Sequence, residues 1–230
     1  MRTLNSPTRR REGGIALLTA LVLMLAVLMT GIASTRGALQ GARAAAHERD
    51  RVLALQMADA ALLDAERDIE GGADPGSARA NAIAGGSADA FVAGCGGGRP
   101  YNGLCAHATD PDQVSGLLAD DDGPAILVGS FTGQGMPDGE GALPLAAPRY
   151  LIELMPTTPD GQLYRITARG AGSMPGTHAA LQAYYRKPPD GARGRRVGWR
   201  ELGNWSETFA LPGASAAGHP TGKGRRKDRQ

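Results

Sequence analysis

Apolar residues dominate one long stretch near the start of the chain. From residue 13 to residue 35 no side chain carries a charge, and from residue 15 to residue 29 only Thr19 is polar. About 20 residues at the helical rise of 1.5 Å cross the hydrocarbon core of a membrane. A helix in a soluble core shows polar residues at regular intervals. The pattern therefore predicts a membrane-spanning helix over residues 15–35.

The helical pattern continues beyond this stretch, but its composition changes. Apolar residues recur at three-, four- and seven-residue spacings from Leu39 to Leu63, with charged residues between them. This spacing is typical of an amphipathic helix. Gly71 and Gly72 follow Ile69 and predict where the helix ends. We therefore expect an amphipathic continuation over residues 36–70. One helix of this length cannot pack wholly within its own small domain, so it needs other subunits.

Strand patterns appear in the second half of the chain. Before them, residues 72–124 are rich in Gly, Ala, Asp and Ser, and they predict a long connection with one short helix near Ala78–Ala84. The predicted fold class is α+β, with the long N-terminal helix packed on a small antiparallel sheet of three or four strands. The predicted strands are Ala125–Val128, Tyr150–Leu154, Leu163–Ala168 and Ala179–Arg186, and residues 158–161 form a hairpin connection between the second and third.

Composition supports a small head followed by a tail. The chain has 34 Gly, 15 Pro and only 4% aromatic residues, which indicates a small core with long connections. We assign residues 71–186 to a globular head and residues 187–230 to a tail rich in Gly, Pro and Arg. The net charge is +2, and much of the excess lies at the two ends of the chain. We interpret the basic segment from Lys223 to Arg229 as a solvated end, and we predict no nucleic-acid partner.

The N-terminal flank predicts both orientation and processing. Four arginines precede the apolar stretch, with Glu12 as the only acid, so we expect a cytoplasmic N-terminus. The basic segment of residues 1–14 ends in Gly14, and the apolar run begins at once with Ile15. Cleavage after Gly14 would remove the arginines and keep the hydrophobic helix, which is the reverse of an ordinary signal peptide. This arrangement is that of a prepilin leader. A cut after Gly13 is the alternative.

Two cysteines, Cys95 and Cys105, have nine residues between them. There is no CxxC motif, and no histidine lies at a ligand spacing that favours zinc. If the head lies outside the cytoplasm, a disulfide closing this loop is the natural interpretation, and it would stabilise the fold by about 2–3 kcal/mol. In a reducing compartment the two thiols would stay unpaired.

No other motif predicts a metal site or a catalytic site. The aspartates from 110 to 122 do not have the spacing of an EF-hand loop, and we interpret them as a solvated turn. The sequence contains no GxSxG motif, P-loop or HExxH motif. Its histidines have no acid or nucleophile at an informative spacing; they are His47, His107, His178 and His219. We therefore predict no catalytic residue, no metal and no cofactor, and a protein that is not an enzyme.

Two regions of the chain resemble the PilX-type minor pilins of type IV pili. The first covers residues 9–70 and contains the Gly-terminated leader, the run Ile15–Leu23 and the charged block Arg49–Leu62. The second covers residues 149–186, where Tyr164–Gly170 and Ala180–Arg186 resemble the closing strands of that family. The resemblance implies a pilin-like fold and removal of the leader by a prepilin peptidase. It also implies partners: other minor pilins and the major pilin through the N-terminal helix, the inner-membrane assembly machinery and the lipid bilayer.

One residue departs from the usual pilin pattern. Most pilin-like subunits carry Glu at the fifth mature position, and cleavage after Gly14 places Thr19 there. A carboxylate in hydrocarbon is costly without a partner, so its absence removes both a cost and a docking signal. We hypothesise that the subunit lies at or near the filament tip. The alternative is that the Thr19 hydroxyl only bonds its own helix backbone.

The predicted function is that of a minor pilin that primes or supports assembly of a type IV pilus. We expect a single-pass inner-membrane protein with a periplasmic C-terminal domain, which enters the extracellular pilus after assembly. After cleavage the new N-terminus would be a candidate for methylation. Two alternatives stay open: a pseudopilin of a type II secretion system, and a non-pilin membrane-anchored periplasmic binding module that keeps residues 1–14.

Overall fold

The computed structural model describes residues 13–107, 111–136 and 143–203. The chain divides into two compact units, residues 1–48 and residues 49–230. In chain order the helices and strands are α1 (Gly13–Ile69), α2 (Ala78–Gly85), β1 (Leu104–Cys105), α3 (Pro111–Ala119), β2 (Ile126–Leu127), β3 (Arg149–Leu154), β4 (Gln162–Ala171), β5 (His178–Lys187) and β6 (Arg195–Glu201).

The first unit contains the apolar part of α1. Every described side chain of α1 up to Arg49 is exposed, although most of those between residues 15 and 32 are hydrophobic. Within the described part of the chain, α1 is the one helix long and apolar enough to cross a membrane. The hydroxyls of Thr30 and Thr35 donate to helix carbonyls one turn earlier, so neither needs an outside partner. The predicted apolar helix is confirmed, and its length and composition fit a membrane anchor.

The sheet of the second unit is mixed. Its strand order is β1-β3-β4-β5-β6, and β2 also pairs with β3. Strands β2 to β5, which are the predicted strands, pair antiparallel as expected. The unpredicted β6 adds a further antiparallel strand beside β5, and β1 runs parallel to β3, with Leu104 opposite Ile152. The sheet has six strands, so the predicted antiparallel sheet of three or four strands is too small. The α+β class with the long helix on a sheet is confirmed.

The second half of α1 packs on one face of this sheet. The helix presents a stripe of small residues to β3, β4 and β5, and four of them are fully buried: Ala54, Ala58, Ala61 and Ala65. Gly170 of β4 lies so close to this stripe that a Cβ atom there would overlap the backbone of the helix at Ala54 and Ala58. Small side chains on the helix and glycine on the strand therefore permit the close approach of the two elements.

The opposite face of the sheet is partly covered by α3 and the cysteine loop. Val114 and Leu118 of α3 pack with both cysteines, Leu151 and Ala180 in a second core cluster. The sequence interpretation placed this segment within a long connection. Helix α3 has only nine residues, and a helix this short gives a weak periodic signal in the sequence.

Strand β6 extends the sheet beyond the predicted head. It pairs with β5 from Glu201 opposite Leu181 to Arg195 opposite Arg186. The head therefore continues to Glu201, rather than ending at residue 186 with a tail from residue 187. Most side chains of β6 are exposed, and exposed edge strands commonly carry charges in place of an apolar alternation. The remaining tail, residues 204–230, lies outside the described residues.

Candidate assembly site

The predicted cleavage position lies at the start of α1. The helix begins at Gly13, so Gly14 and Ile15 are both helical, and the Ile15 side chain is 73% exposed. The leader residues 1–12 lie outside the described residues. Cleavage itself stays a prediction, because nothing in the helix distinguishes the bond after Gly14 from the bond after Gly13.

Thr19 bonds its own helix. Its hydroxyl donates to the carbonyl oxygen of Ala16 at 3.0 Å. This is the contact expected under the alternative in which Thr19 has only a local role. It also means that the side chain carries no unsatisfied donor into the membrane. The tip hypothesis therefore depends on what Thr19 lacks, a carboxylate, rather than on a contact that it makes.

The most enclosed polar contact of the head joins α1 to α2. Arg79 of α2 donates from Nη2 to Oδ2 of Asp68 at 2.7 Å and from Nε to Oδ1 at 2.9 Å, and both side chains are 2% exposed. Arg79 Nη1 also donates to the carbonyl oxygens of Pro100 and Asn102. A planar guanidinium with five donors suits such a site. One buried side chain thereby fastens the end of α1 to the segment before β1.

Two aromatic rings complete this network. The Tyr150 hydroxyl of β3 donates to Asp68 Oδ2 at 3.0 Å, and the Arg79 guanidinium carbon lies 4.0 Å from the centre of the Phe131 ring. Burial, followed by the negative charge of Asp68, raises the pKa of Tyr150 well above its usual range. The phenol therefore stays a hydrogen-bond donor at any physiological pH.

Asp64 makes the second buried contact, one helical turn before Asp68. It is 1% exposed, and its Oδ2 accepts from the backbone N–H of Gly129 at 2.9 Å. Its Oδ1 accepts from the Thr132 hydroxyl. Asp64 thus holds the turn that follows β2 against the helix.

Asp50 makes the third, at the other end of the buried part of the helix. Its carboxylate accepts from the Ser173 hydroxyl at 2.8 Å and from the backbone N–H groups of Ser173 and Met174. Burial raises the pKa of Asp50, but hydrogen bonds from Thr177, Ser173 and Met174 outweigh it and hold the pKa below its usual range. The ionised carboxylate therefore organises the turn between β4 and β5.

Acids on the flank of α1 reach the last two strands. Glu70 Oε1 accepts from the Tyr185 hydroxyl and from the Gly194 N–H, both at 2.9 Å. Glu66 accepts from Arg196 Nε at 2.6 Å. With Asp50, Asp64 and Asp68, these acids connect α1 to loops and strands from α2 to β6.

The sequence interpretation missed the buried role of these acids. It took the charged residues of α1 only as the polar positions of an amphipathic helix, whereas Asp50, Asp64 and Asp68 are at most 4% exposed. The available signal was their position: Asp64 and Asp68 are four residues apart and lie on the same face as Ala61 and Ala65. A carboxylate on an alanine-lined face indicates a bonded group more than a solvated one.

The cysteines are joined in the structure. A disulfide links Cys95 and Cys105, with 4.2 Å between their Cα atoms, and both residues are at most 1% exposed. The bridge closes the loop beneath α3. Because Cys105 belongs to β1, it also ties that strand, which pairs with β3, to the start of the loop. Next to it, His107 Nδ1 lies 3.6 Å from Glu153, which also binds Arg165. The sequence spacing did not reveal this acid beside His107.

The head has a surface cavity near the Asp68–Arg79 network, with a volume of about 480 Å³. Arg99, Phe131 and Arg149 are among the residues that line it, and Arg149 is paired with Asp121 at 2.7 Å. No group of three or more His, Cys, Asp or Glu residues in the described ranges could hold a metal ion. Asp110 and the side chain of Asp112 lie outside the described residues.

Comparison with protein families matches residues 101–187 to a model described as the C-terminal part of the type IV pilus assembly protein PilX. This range covers β1 to β5 with α3, which is most of the sheet. Comparisons with curated proteins and with solved structures gave no match. The matched region begins within the cysteine loop, and the long helix α1 with its apolar first half precedes it in the chain. Over residues 101–187 the head is thus similar to the C-terminal part of the PilX-type pilus assembly proteins.

Proposed function

We propose that this protein is a minor pilin that primes or supports the assembly of a type IV pilus. The observation that carries the proposal is the attachment of a PilX C-terminal domain to an exposed apolar helix. An apolar helix that no other described residue of its chain covers is stable only in lipid or against other apolar helices. The helices of other minor pilins and of the major pilin are the partners that fit it.

The buried carboxylates explain how such a subunit transmits force. If the assembly machinery extracts the subunit by its anchor, the load on α1 must reach the head. Asp50, Asp64 and Asp68 bond three separate segments of the head to the helix. Because these contacts lie along the helix rather than at one end, the head resists peeling from it.

Processing would follow the orientation set by the basic leader. In our proposal the N-terminus stays in the cytoplasm, and prepilin peptidase cuts after Gly14 at the inner membrane. The head lies in the periplasm, where its disulfide would form, and it reaches the cell exterior within the pilus. The new amino group on Ile15 is then available for methylation.

Mass spectrometry of the mature N-terminus tests this proposal. The chain is purified from cells with an active prepilin peptidase and from cells that lack it. We expect a mature chain that starts at Ile15 only in the first sample. A start at Gly14 would move the cut by one residue without changing the class of protein. Retention of residues 1–14 in both samples would overturn the pilin proposal and favour a membrane-anchored binding module.

The tip position is a finer part of the proposal, and it rests on Thr19. A Thr19→Glu variant restores the carboxylate that most pilin-like subunits carry, so we expect more copies per filament, counted by quantitative immunoblotting of sheared pili. Thr30→Glu is a matched control, because it places a carboxylate in the same apolar segment at a different depth. Unchanged incorporation of Thr19→Glu beside native partners, or an equal increase for both variants, would remove the support for a tip position.

A type II secretion pseudopilin is the alternative within the same architecture. The family match over residues 101–187 favours the pilus system. Deleting the chain in a strain that has both systems separates the two. Loss of surface pili with normal secretion supports our proposal, and the reverse result supports the pseudopilin.

A further inference from the structure

At one end of the sheet, β5 and β6 carry a tyrosine and three arginines on the face opposite α1. Leu181, Ala183 and Tyr185 of β5 pack toward the helix, so strand alternation turns Tyr184 and Arg186 to the other face. The register with β6 pairs Arg186 with Arg195. The side chains of Arg195 and Arg200 are exposed, and those of Tyr184 and Arg186 are half-buried. We call the set Tyr184, Arg186, Arg195 and Arg200 the basic face.

Hydrogen bonding places Arg200 on this face and leaves its charge uncancelled. Its guanidinium donates from Nε and Nη2 to Oε1 of Gln182, at 3.2 and 2.9 Å. Gln182 is neutral and in turn donates to Thr167. This contact orients Arg200 along the sheet without neutralising it.

The acids near the basic face do not balance it. Asp160 binds Arg186 at 3.2 Å but is 72% exposed, and Glu153 is already occupied by Arg165. Neither acid contacts Arg195 or Arg200 in the described contacts. This end of the sheet therefore carries a positive excess from β6.

Tyr184 is positioned to present its ring. Its cross-strand neighbour on β6 is Gly198, which has no side chain to cover it. Even a Cβ atom built at Gly198 would meet no atom of the described residues within 4 Å, so no described atom fills the space over this glycine. A β-sheet that offers an aromatic ring flanked by arginines is a surface on which unpaired bases stack while cations contact the phosphates.

The same strand leads into a second basic segment. After Gly203 the sequence continues to residue 230, and it has five Lys and Arg residues against one Asp between positions 223 and 229. By itself this tail is a common solvated end. The basic face does not include this tail.

We propose that the basic face binds single-stranded nucleic acid, with a base stacked on Tyr184 and phosphates at Arg186, Arg195 and Arg200. An acidic protein surface would satisfy the arginines, but it gives no role to the ring beside Gly198. The sequence alone predicts no nucleic-acid partner, because the four residues become one surface only through the pairing of β5 with β6.

The test measures fluorescence anisotropy of a labelled oligothymidine with the full chain in nonionic detergent. Three phosphate contacts on a single strand predict a slope of about −2 in log K against log salt concentration, which weakens binding about twentyfold between about 50 and 200 mM salt. Binding that is insensitive to salt would overturn the proposal.

Paired variants locate the binding. Arg195→Ala with Arg200→Ala should weaken binding about tenfold and make the slope shallower by about 1.4. Arg49→Ala with Arg67→Ala is the matched control, since it removes the same charge from exposed positions of α1. Equal loss in both double variants, or no loss in the first, would overturn the proposal in favour of total charge or the tail.

The ring is tested separately. Tyr184→Ala should weaken binding fivefold or more by loss of stacking, on the order expected for one base, whereas Tyr184→Phe should bind like the native chain. Unchanged thermal unfolding of both variants shows that the sheet is intact. If polyglutamate of equal charge displaces the oligonucleotide as well as unlabelled oligothymidine does, and Tyr184→Ala has no effect, the face serves an acidic protein instead.

Discussion

Arg79 binds the Asp68 carboxylate through two nitrogens, and both side chains are 2% exposed. The pair joins the last turns of α1 to α2 at a point where neither residue can reach water. Because Tyr150 and two backbone carbonyls bond to the same two side chains, the network satisfies both charges together. Removing either Asp68 or Arg79 leaves the other buried without a counter-charge.

Arg79→Leu should therefore destabilise the head strongly. Loss of one partner from a buried ion pair costs about 3–5 kcal/mol, and chemical denaturation of the full chain in detergent micelles measures the free energy of unfolding. Arg51→Ala is the control, because Arg51 is paired with Glu201 but is 51% exposed, and such surface pairs contribute about 1 kcal/mol or less. Similar losses for the two variants would show that the buried pair is not a main contact of the head.

Gly170→Ala should separate α1 from the sheet. The added methyl group would overlap the helix backbone at Ala54 and Ala58, and overpacking against backbone that cannot move costs about 1–3 kcal/mol or more. Gly116→Ala in α3 is the matched control, because a Cβ atom there meets nothing within 4 Å. In a helix that change should be neutral or stabilise by up to about 1 kcal/mol. Thermal unfolding of both variants would decide the matter, and a neutral Gly170→Ala would contradict the close helix–strand contact.

Reduction of the disulfide should loosen the segment beneath α3. Closing a loop of this size constrains the unfolded chain by about 3 kcal/mol, so Cys95→Ser with Cys105→Ser should lower the free energy of unfolding by about that amount. A thiol-reactive mass label should modify the native chain from intact cells only after a reductant is added. Labelling without reductant would show that the thiols are free in the cell. If a reductant still lowered the free energy of unfolding of the double variant, the loss of stability on reduction would have a source other than this disulfide.

Asp50 should make stability depend on pH at the acid end. Its folded pKa lies below the unfolded value of about 3.9, so the unfolded chain binds a proton first as the pH falls. The stabilisation is therefore complete above about pH 5 and is lost as the pH falls through the folded pKa. Asp50→Asn should unfold at lower temperature at neutral pH and lose less on acidification. Asp89→Asn, at an exposed position, should leave the pH profile unchanged; a parallel profile for Asp50→Asn would contradict the assignment.

The main helix and the central strands could be predicted from the long periodic patterns of apolar residues in the sequence. The apolar and then amphipathic spacing predicts α1 to within a residue of its end at Ile69, and the apolar alternation predicts β3, β4 and β5 closely. The short helix expected near Ala78–Ala84 is α2. These elements are readable because burial repeats along them at the helical or strand period.

The remaining elements depend on contacts that are distant in sequence. Strand β1 has two residues, and its parallel pairing with β3 follows from the cysteine loop rather than from any local pattern. Strand β6 has arginines in place of an apolar alternation, because it lies at the sheet edge and its arginines bind Gln182 and the acids of α1. The buried aspartates also depend on distant contacts. Asp50 accepts hydrogen bonds from Ser173 and Met174, which lie more than a hundred positions further along the chain. No local spacing in the sequence predicts such partners.

The acids that α1 offers to the head begin at Asp50, one residue inside the second compact unit. A recombinant protein that starts at Arg49 would keep every one of them and discard the apolar part of the helix. One that starts at Leu53 would leave the Ser173 and Met174 amides without their acceptor. Asp50 thus sets how far the helix can be shortened before the head loses one of its buried acids.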